Sequence, residues 1–114
     1  MPKGIHLAEF EVYVMLAIAQ LGDRDAYGVT IRQEIETRTG RPVAIGAVYA
    51  TLGRLHDKDF VAFSYSDPDA VRGGRSRKLV ALSRTGRRAL EHTVMSLSRM
   101  TEGLDLRPLA GKTR

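Results

Sequence analysis

Gly73-Gly74-Arg75-Ser76-Arg77-Lys78-Leu79-Val80-Ala81-Leu82-Ser83 decides how the chain is read. The two glycines reverse the chain, cations follow at once, and apolar residues then lead into a helix start. From Arg72 to Arg88 there are seven Lys or Arg and no Asp or Glu, so seven of the eighteen basic residues fall in 17 positions. A positive hairpin tip beside a helical body is the profile of a nucleic-acid wing. A basic loop is also often only solvated surface, and this stretch alone leaves both readings open.

Ser83 is suited to cap a last helix over residues 84–103. Leu90, Val94, Leu97, Thr101 and Leu104 recur at spacings of four and three, a coiled-coil-like seam, with Ala89, Thr93, Ser96 and Met100 beside it. The competing reading packs this helix on its own domain. Residues 105–114 carry Pro108 and Gly111 and are expected to be a frayed tail.

Upstream of the wing, residues 60–66 are rich in aromatic and β-branched types and read as its first strand, with 77–82 as the return strand. Alternation alone does not say which set faces inward. Residues 45–57 form a helix whose Val48, Leu52 and Leu55 face the core. Gly46, Ala47 and Ala50 leave its opposite, N-terminal face slim. Residues 26–38 form a helix capped by Asp25 and stopped by Thr39-Gly40-Arg41-Pro42. Val43 is a candidate for a strand of one or two residues. The first helix, residues 7–21, places Phe10, Val14, Ala17 and Leu21 on one face and carries apolar residues on most others, so it is buried on most sides. One of those sides is open to a partner subunit.

The order helix, helix, helix, strand, basic turn, strand, helix is that of a mostly α (α+β) winged helix-turn-helix with an added C-terminal helix. Residues 5–82 are assigned to the DNA-binding unit and 83–104 to a dimerisation helix. The 114 residues suit one domain with a small core, which pairing of two copies would enlarge. The formal charge of +5 favours a polyanionic partner. The absence of cysteine excludes disulfides, thiolate metal sites and cysteine nucleophiles. No apolar run approaches the roughly 20 residues of a membrane span, and the N-terminus lacks the pattern of a secretory leader. A cytoplasmic protein without membrane association is the expectation.

Four segments in order carry a family resemblance. Asp25-Ala26-Tyr27-Gly28-Val29-Thr30-Ile31 resembles the tyrosine-glycine start of a second helix. Ile45-Gly46-Ala47-Val48-Tyr49-Ala50-Thr51-Leu52-Gly53-Arg54-Leu55 resembles a recognition helix. Gly73 to Lys78 resembles a wing tip, and Leu82-Ser83-Arg84-Thr85-Gly86-Arg87-Arg88-Ala89-Leu90 resembles the opening of a last helix. Together they resemble the PadR family of bacterial transcriptional regulators, over residues 7–104. With room for a single C-terminal helix, the chain is similar to the short subfamily, whose last helix and partner's first helix form a two-fold dimer. Two departures stand out. Ala44-Ile45 replaces the family's Ser-Pro and removes a hydroxyl at the helix start, and Leu79-Val80 replaces aromatics in the return strand.

The resemblance implies double-stranded DNA as partner and a homodimer as the working form. Tyr27 is implied to touch phosphate where a helix N-terminus favours anions, its competing role being a core tyrosine. Tyr49 lies off the core stripe of its helix. Gly46 and Ala47 permit close approach to a groove but read few bases by paired hydrogen bonds, which leaves specificity partly to DNA shape and dimer spacing. Arg41 is placed to meet backbone or to remain solvated. Arg54 is placed to hold phosphate or to pair with Asp57 or Glu34. Arg75, Arg77 and Lys78 are the wing candidates. The dimer candidates are Phe10, Val14, Leu90, Val94, Leu97, Thr101 and Leu104.

Multidrug-sensing relatives use an aromatic-lined pore at the dimer centre. This last helix has no aromatic residue, so an effector pocket would rest on Met95, Leu97 and Met100, which otherwise are interface packing. His6, His56 and His92 show no metal-ligand spacing, Gly73-Gly74 is no P-loop, and Ser83, Ser96 and Ser98 lack a nucleophile elbow. No cofactor, metal or catalytic residue is expected. The leading reading is a homodimeric repressor acting on a pseudo-palindromic operator and open to release by an effector. The alternative is a ligand-binding or protein-interaction module on the same scaffold with only non-specific DNA affinity.

Overall fold

A computed structural model describes residues 7–66 and 77–107. It contains α1 (Glu9–Leu21), α2 (Gly28–Thr39), α3 (Ile45–Asp57), β1 (Val61–Tyr65), β2 (Lys78–Leu82) and α4 (Arg84–Thr101), in the expected order. The two strands pair antiparallel, with Val61 opposite Leu82, Phe63 opposite Val80 and Tyr65 opposite Lys78. The pairing continues to Ser66 and Arg77, which share hydrogen bonds of 2.9 and 2.7 Å. The glycine turn and Arg75 lie outside the described residues, as do residues 5–6 and residues 108–114 of the tail.

The core gathers Val14, Met15 and Ile18 of α1, Ile31 and Ile35 of α2, and Val48, Leu52 and Leu55 of α3, with Val61 and Val80 from the sheet. Burying side chains of this size stabilises the fold by roughly 1.5–3 kcal/mol each. The inward set of β1 is therefore Val61 and Phe63, while Ala62 and Ser64 are exposed. Ala89 and Leu90 bring the first turns of α4 into the same core.

Gly22 ends α1 and Gly40 ends α2, both at positive φ (82° and 73°), as glycine permits. The start of α2 differs from expectation. Asp25 does not cap it, and the helix begins two residues later, after Tyr27. The Thr30 hydroxyl takes over: it accepts the Tyr27 N–H at 3.0 Å and lies 2.6 Å from the Asp25 carbonyl, to which it donates. Val43 forms no strand. Its N–H instead donates to the Glu36 carboxylate at 2.9 Å. The last helix stops at Thr101, two residues short of the expected end.

The junction of hairpin and α4 is built around Gly86. Ser83 caps α4, accepting the Gly86 N–H at 3.0 Å, and its own N–H donates to the Phe60 carbonyl at 3.0 Å. The hydroxyls of Ser83 and Thr85 both donate to the Asp59 carbonyl, at 2.6 and 2.8 Å. This draws α4 so close to the α3–β1 turn that a Cβ at Gly86 would stand 2.0 Å from the Phe60 oxygen. The glycine of the Ser-Arg-Thr-Gly segment is thus a requirement for close approach of two backbones.

Candidate nucleic-acid interface

Helix α3 buries Val48, Thr51, Leu52 and Leu55 and exposes Gly46, Ala47, Tyr49, Ala50, Gly53 and Arg54. Nothing stands within 4 Å of the space above Gly46 or Gly53. The outer face of α3 is therefore a smooth ridge of small residues over its N-terminal two turns. Ala44 precedes it in extended conformation without any side-chain cap, so the departure from Ser-Pro leaves the first amides uncovered by a side chain. Ile45 is partly buried against the core, which explains an apolar residue there.

On one flank of this ridge lie the start of α2 and the wing strands. The Tyr49 ring lies directly over Gly28, where a Cβ would come within 2.5 Å of it. The Arg77 guanidinium sits over the Tyr27 ring, 4.8 Å from its centroid, and the Lys78 ammonium is 4.0 Å from the Phe63 centroid. Phe63 also stacks on His56 of α3, with centroids 4.8 Å apart. Such cation–π contacts hold a long side chain in place without neutralising it. Tyr27, Tyr49, Phe63, Arg77 and Lys78 line a cleft of about 310 Å³ together with Leu52 and Val80. Val80 is fully enclosed, and its N–H donates to the Ala26 carbonyl at 2.9 Å, tying the return strand to the entrance of α2. A compact aliphatic fits this position, so the second family departure is a matter of core packing.

On the other flank lies the first turn of α1. The Glu11 side chain is 5 % exposed and takes the Lys58 ammonium at 2.9 and 3.2 Å and the Ala8 N–H at 2.9 Å. The Arg54 guanidinium is 4.0 Å away and donates to the Thr51 hydroxyl at 2.8 Å. Burial of Glu11 favours its protonated form. The hydrogen bonds from Lys58 and Ala8 and the charges of Lys58 and Arg54 outweigh burial and hold the carboxyl below its ordinary value. Arg41, in the loop before α3, pairs with Glu9 at 3.1 Å and lies 5.5 Å from the Tyr13 centroid.

The structure therefore brings Tyr27, Tyr49, Arg77 and Lys78 together around one cleft and leaves Gly46 and Ala47 exposed on α3. It sets Arg41 and Arg54 on the opposite flank, each beside a carboxylate. The acid facing Arg54 is Glu11, neither Asp57 nor Glu34; Glu34 pairs with Arg38 one turn along α2. Sequence reasoning missed Phe63, His56, Glu11 and Lys58. Only Glu11 had a local signal, a glutamate three residues past a helix cap.

The family model described as the transcriptional regulator PadR-like family matches residues 15–92. The chain belongs to the PadR-like family. A protein of Lysinibacillus sphaericus described only as uncharacterised is 31% identical over 86 residues, 74% of this chain and 76% of that one. A PadR-like transcription factor from Bacteroides fragilis superposes with a TM-score of 0.65 at 25% identity, covering 82% of this chain and 84% of its own. A PadR family transcription regulator from Clostridium difficile R20291 gives a TM-score of 0.66 at 22% identity over 80% and 91% of the two chains. The PadR-like chain is thus a transcriptional regulator with a winged-helix DNA-binding fold, and the family match runs from the middle of α1 through α2, α3 and both wing strands to the first half of α4.

Two of the expected dimer residues are placed elsewhere. Val14 is fully enclosed and Leu90 is buried, both inside the protomer's own core, to which α1 and the first turns of α4 contribute. Phe10 is partly buried against the same core. Val94, Leu97, Thr101 and Leu104 are exposed. Met95, Leu97 and Met100 are 53, 57 and 78 % exposed, so a single protomer encloses nothing with them. No helix among the described residues is long and apolar enough to cross a membrane.

Proposed function

We propose that this PadR-like regulator is a sequence-specific DNA-binding repressor that acts as a homodimer. The observation that carries the DNA reading is the slim outer face of α3 flanked by Tyr49, Tyr27, Arg77 and Lys78. A ridge of glycine and alanine admits a groove edge closely, and cations held on rings meet the neighbouring phosphates. Gly46 and Ala47 approach bases, Tyr27 and Tyr49 contact phosphate through their hydroxyls, and Arg75, two positions before Arg77 in the sequence, is a further cation for phosphate. Arg41 and Arg54 add backbone contacts only with the charge their carboxylates leave them.

The homodimer reading is supported by the second half of α4, where Val94, Leu97 and Met100 form an exposed apolar stripe that Leu104, just past the helix, extends. On the outer side of α1 and α2 is a mostly apolar cleft of about 210 Å³ walled by Tyr13, Leu16, Ala17 and Ile35. Pairing of the stripe with a second copy would present two recognition helices to a pseudo-palindromic operator. In this reading residues 5–82 are the DNA-binding unit and residues 83–104, built around α4, are the dimerisation element, in a cytoplasmic protein. An effector, where one acts, would sit between two copies at Met95, Leu97 and Met100 and release the operator.

The test is fluorescence anisotropy with the protein's own upstream DNA and a scrambled duplex at two salt concentrations, with sedimentation to count subunits. A preference of roughly 10³-fold or more supports operator recognition. Equal, steeply salt-dependent binding to both duplexes instead supports a winged-helix interaction module with an electrostatic footprint.

A further inference from the structure

The first turn of α1 reaches both ends of the recognition helix. Glu9 holds Arg41, three residues before the cap of α3, at 3.1 Å. Glu11 holds Lys58, the residue that closes α3, at 2.9 Å, and faces Arg54 one turn earlier at 4.0 Å. Arg54 in turn is fixed to Thr51, which is fully buried. The two acids lie on one helix start, and the Glu11 carboxylate is also fastened to its own backbone through the Ala8 N–H. Apolar contacts between α1 and α3 resist separation but leave sliding and rotation cheap. A buried carboxylate with two donors and a second cation close by has one geometry, because any movement leaves a charge without its partners.

We infer that Glu11, aided by Glu9, is a positioning residue for DNA recognition: it fixes the axial position and rotation of α3 relative to the wing. This rests on the DNA reading above. Glu11 touches no base or phosphate itself. Its effect is to hold the glycine-alanine ridge and the Tyr27–Arg77 side in one fixed relation, so that a groove edge and a phosphate fit together only on the right site. Selectivity, the ratio of operator to random-duplex affinity, therefore depends on this carboxylate, whereas non-specific attraction does not.

The experiment compares wild type, Glu11→Gln and Lys58→Met on upstream and scrambled duplexes at fixed salt. Glu11→Gln keeps the shape and an acceptor for the Ala8 N–H but removes the charge. The expected result is a ratio lowered roughly tenfold, with scrambled-duplex affinity unchanged or higher because a negative charge is gone. Lys58→Met is expected to lower the ratio as well, and the double variant to cost no more than either alone, since both break one link. A variant that merely unfolds in part weakens both duplexes alike. A simple charge effect strengthens both alike. Either pattern leaves the ratio intact and overturns the proposal while the DNA reading stands. If Glu11→Gln does not fold, Lys58→Met carries the test on the same criterion. A wild type without any preference overturns the DNA reading and the proposal together.

Discussion

The two flanks of α3 treat their cations in opposite ways. On the wing side Arg77 and Lys78 rest on the rings of Tyr27 and Phe63. On the α1 side Arg54 and Lys58 face the carboxylate of Glu11, and Arg41 meets Glu9. A ring face orders a cation and leaves its full charge for a phosphate. A carboxylate orders it and offsets part of that charge. On the proposed reading, one flank grips a polyanion and the other holds a helix still. Counting basic residues along the chain does not separate these roles, because the count is blind to what each cation faces.

The largest effect is expected where the gripping flank joins the body. Gly86→Ala would drive a methyl group to 2.0 Å from the Phe60 carbonyl oxygen, against backbone on both sides. Neither the hairpin base nor α4 can yield without losing the Ser83 and Thr85 bonds to the Phe60–Asp59 turn. Urea unfolding should show a loss of about 3 kcal/mol. A loss under about 0.5 kcal/mol would mean that the wing is mounted less rigidly than the geometry requires, and the contrast between a fixed and a gripping flank would weaken.

The next effect sharpens the holding flank. The Glu11 carboxyl titrates below its ordinary value in the folded protein, so the folded state favours the ionised form. Its contribution is complete above the unfolded glutamate value of about 4.3 and disappears as pH falls through the lower folded value. At neutral pH wild type should exceed Glu11→Gln by about 1–2 kcal/mol, the modest figure reflecting solvent access to Lys58. Unfolding curves at intervals from neutral pH downward should converge below the ordinary glutamate range. A difference that persists unchanged into acid would show that shape, and not charge, secures this flank.

Much of this architecture was legible along the chain. The three-four spacing of Val48, Leu52 and Leu55 marked the buried face of α3, and the small residues opposite marked its slim one. Ser83 as a cap and Gly22 and Gly40 as stops were read from local chemistry that acts within a few residues. What could not be read is what arises between distant elements. Asp25 looked like the cap of α2, but Thr30 supplies a bond that spares it. Val14 fits an apolar face of α1 and Leu90 a seam of α4 by spacing, yet both are buried in one protomer's core. Glu11 and Lys58 are 47 positions apart, and no periodicity connects them. The sequence left Arg54 between phosphate and an acid at Asp57 or Glu34, and the structure sets the buried Glu11 beside it instead. Gly86 stood within a quoted segment, but its reason lies in the carbonyl of Phe60.

The smallest effect separates the flanks most directly. Each cation that displaces counterions from DNA adds close to one unit to the slope of log affinity against log salt. Arg77, ordered on a ring and facing the cleft beside Tyr49, should contribute nearly that full unit, so Arg77→Ala should flatten the slope by about 1 and weaken both duplexes alike. Arg54 is 58 % exposed and so remains within reach of a phosphate, but Glu11 already neutralises part of its charge. Arg54→Ala should flatten the slope by less than roughly half as much. Equal slopes for the two variants would mean that the Glu11 carboxylate yields Arg54 when DNA arrives, and that both flanks grip. In the Glu11→Gln background the Arg54 contribution should rise toward that of Arg77, because the competing charge is gone and the guanidinium has only Thr51 and the phosphate to answer to.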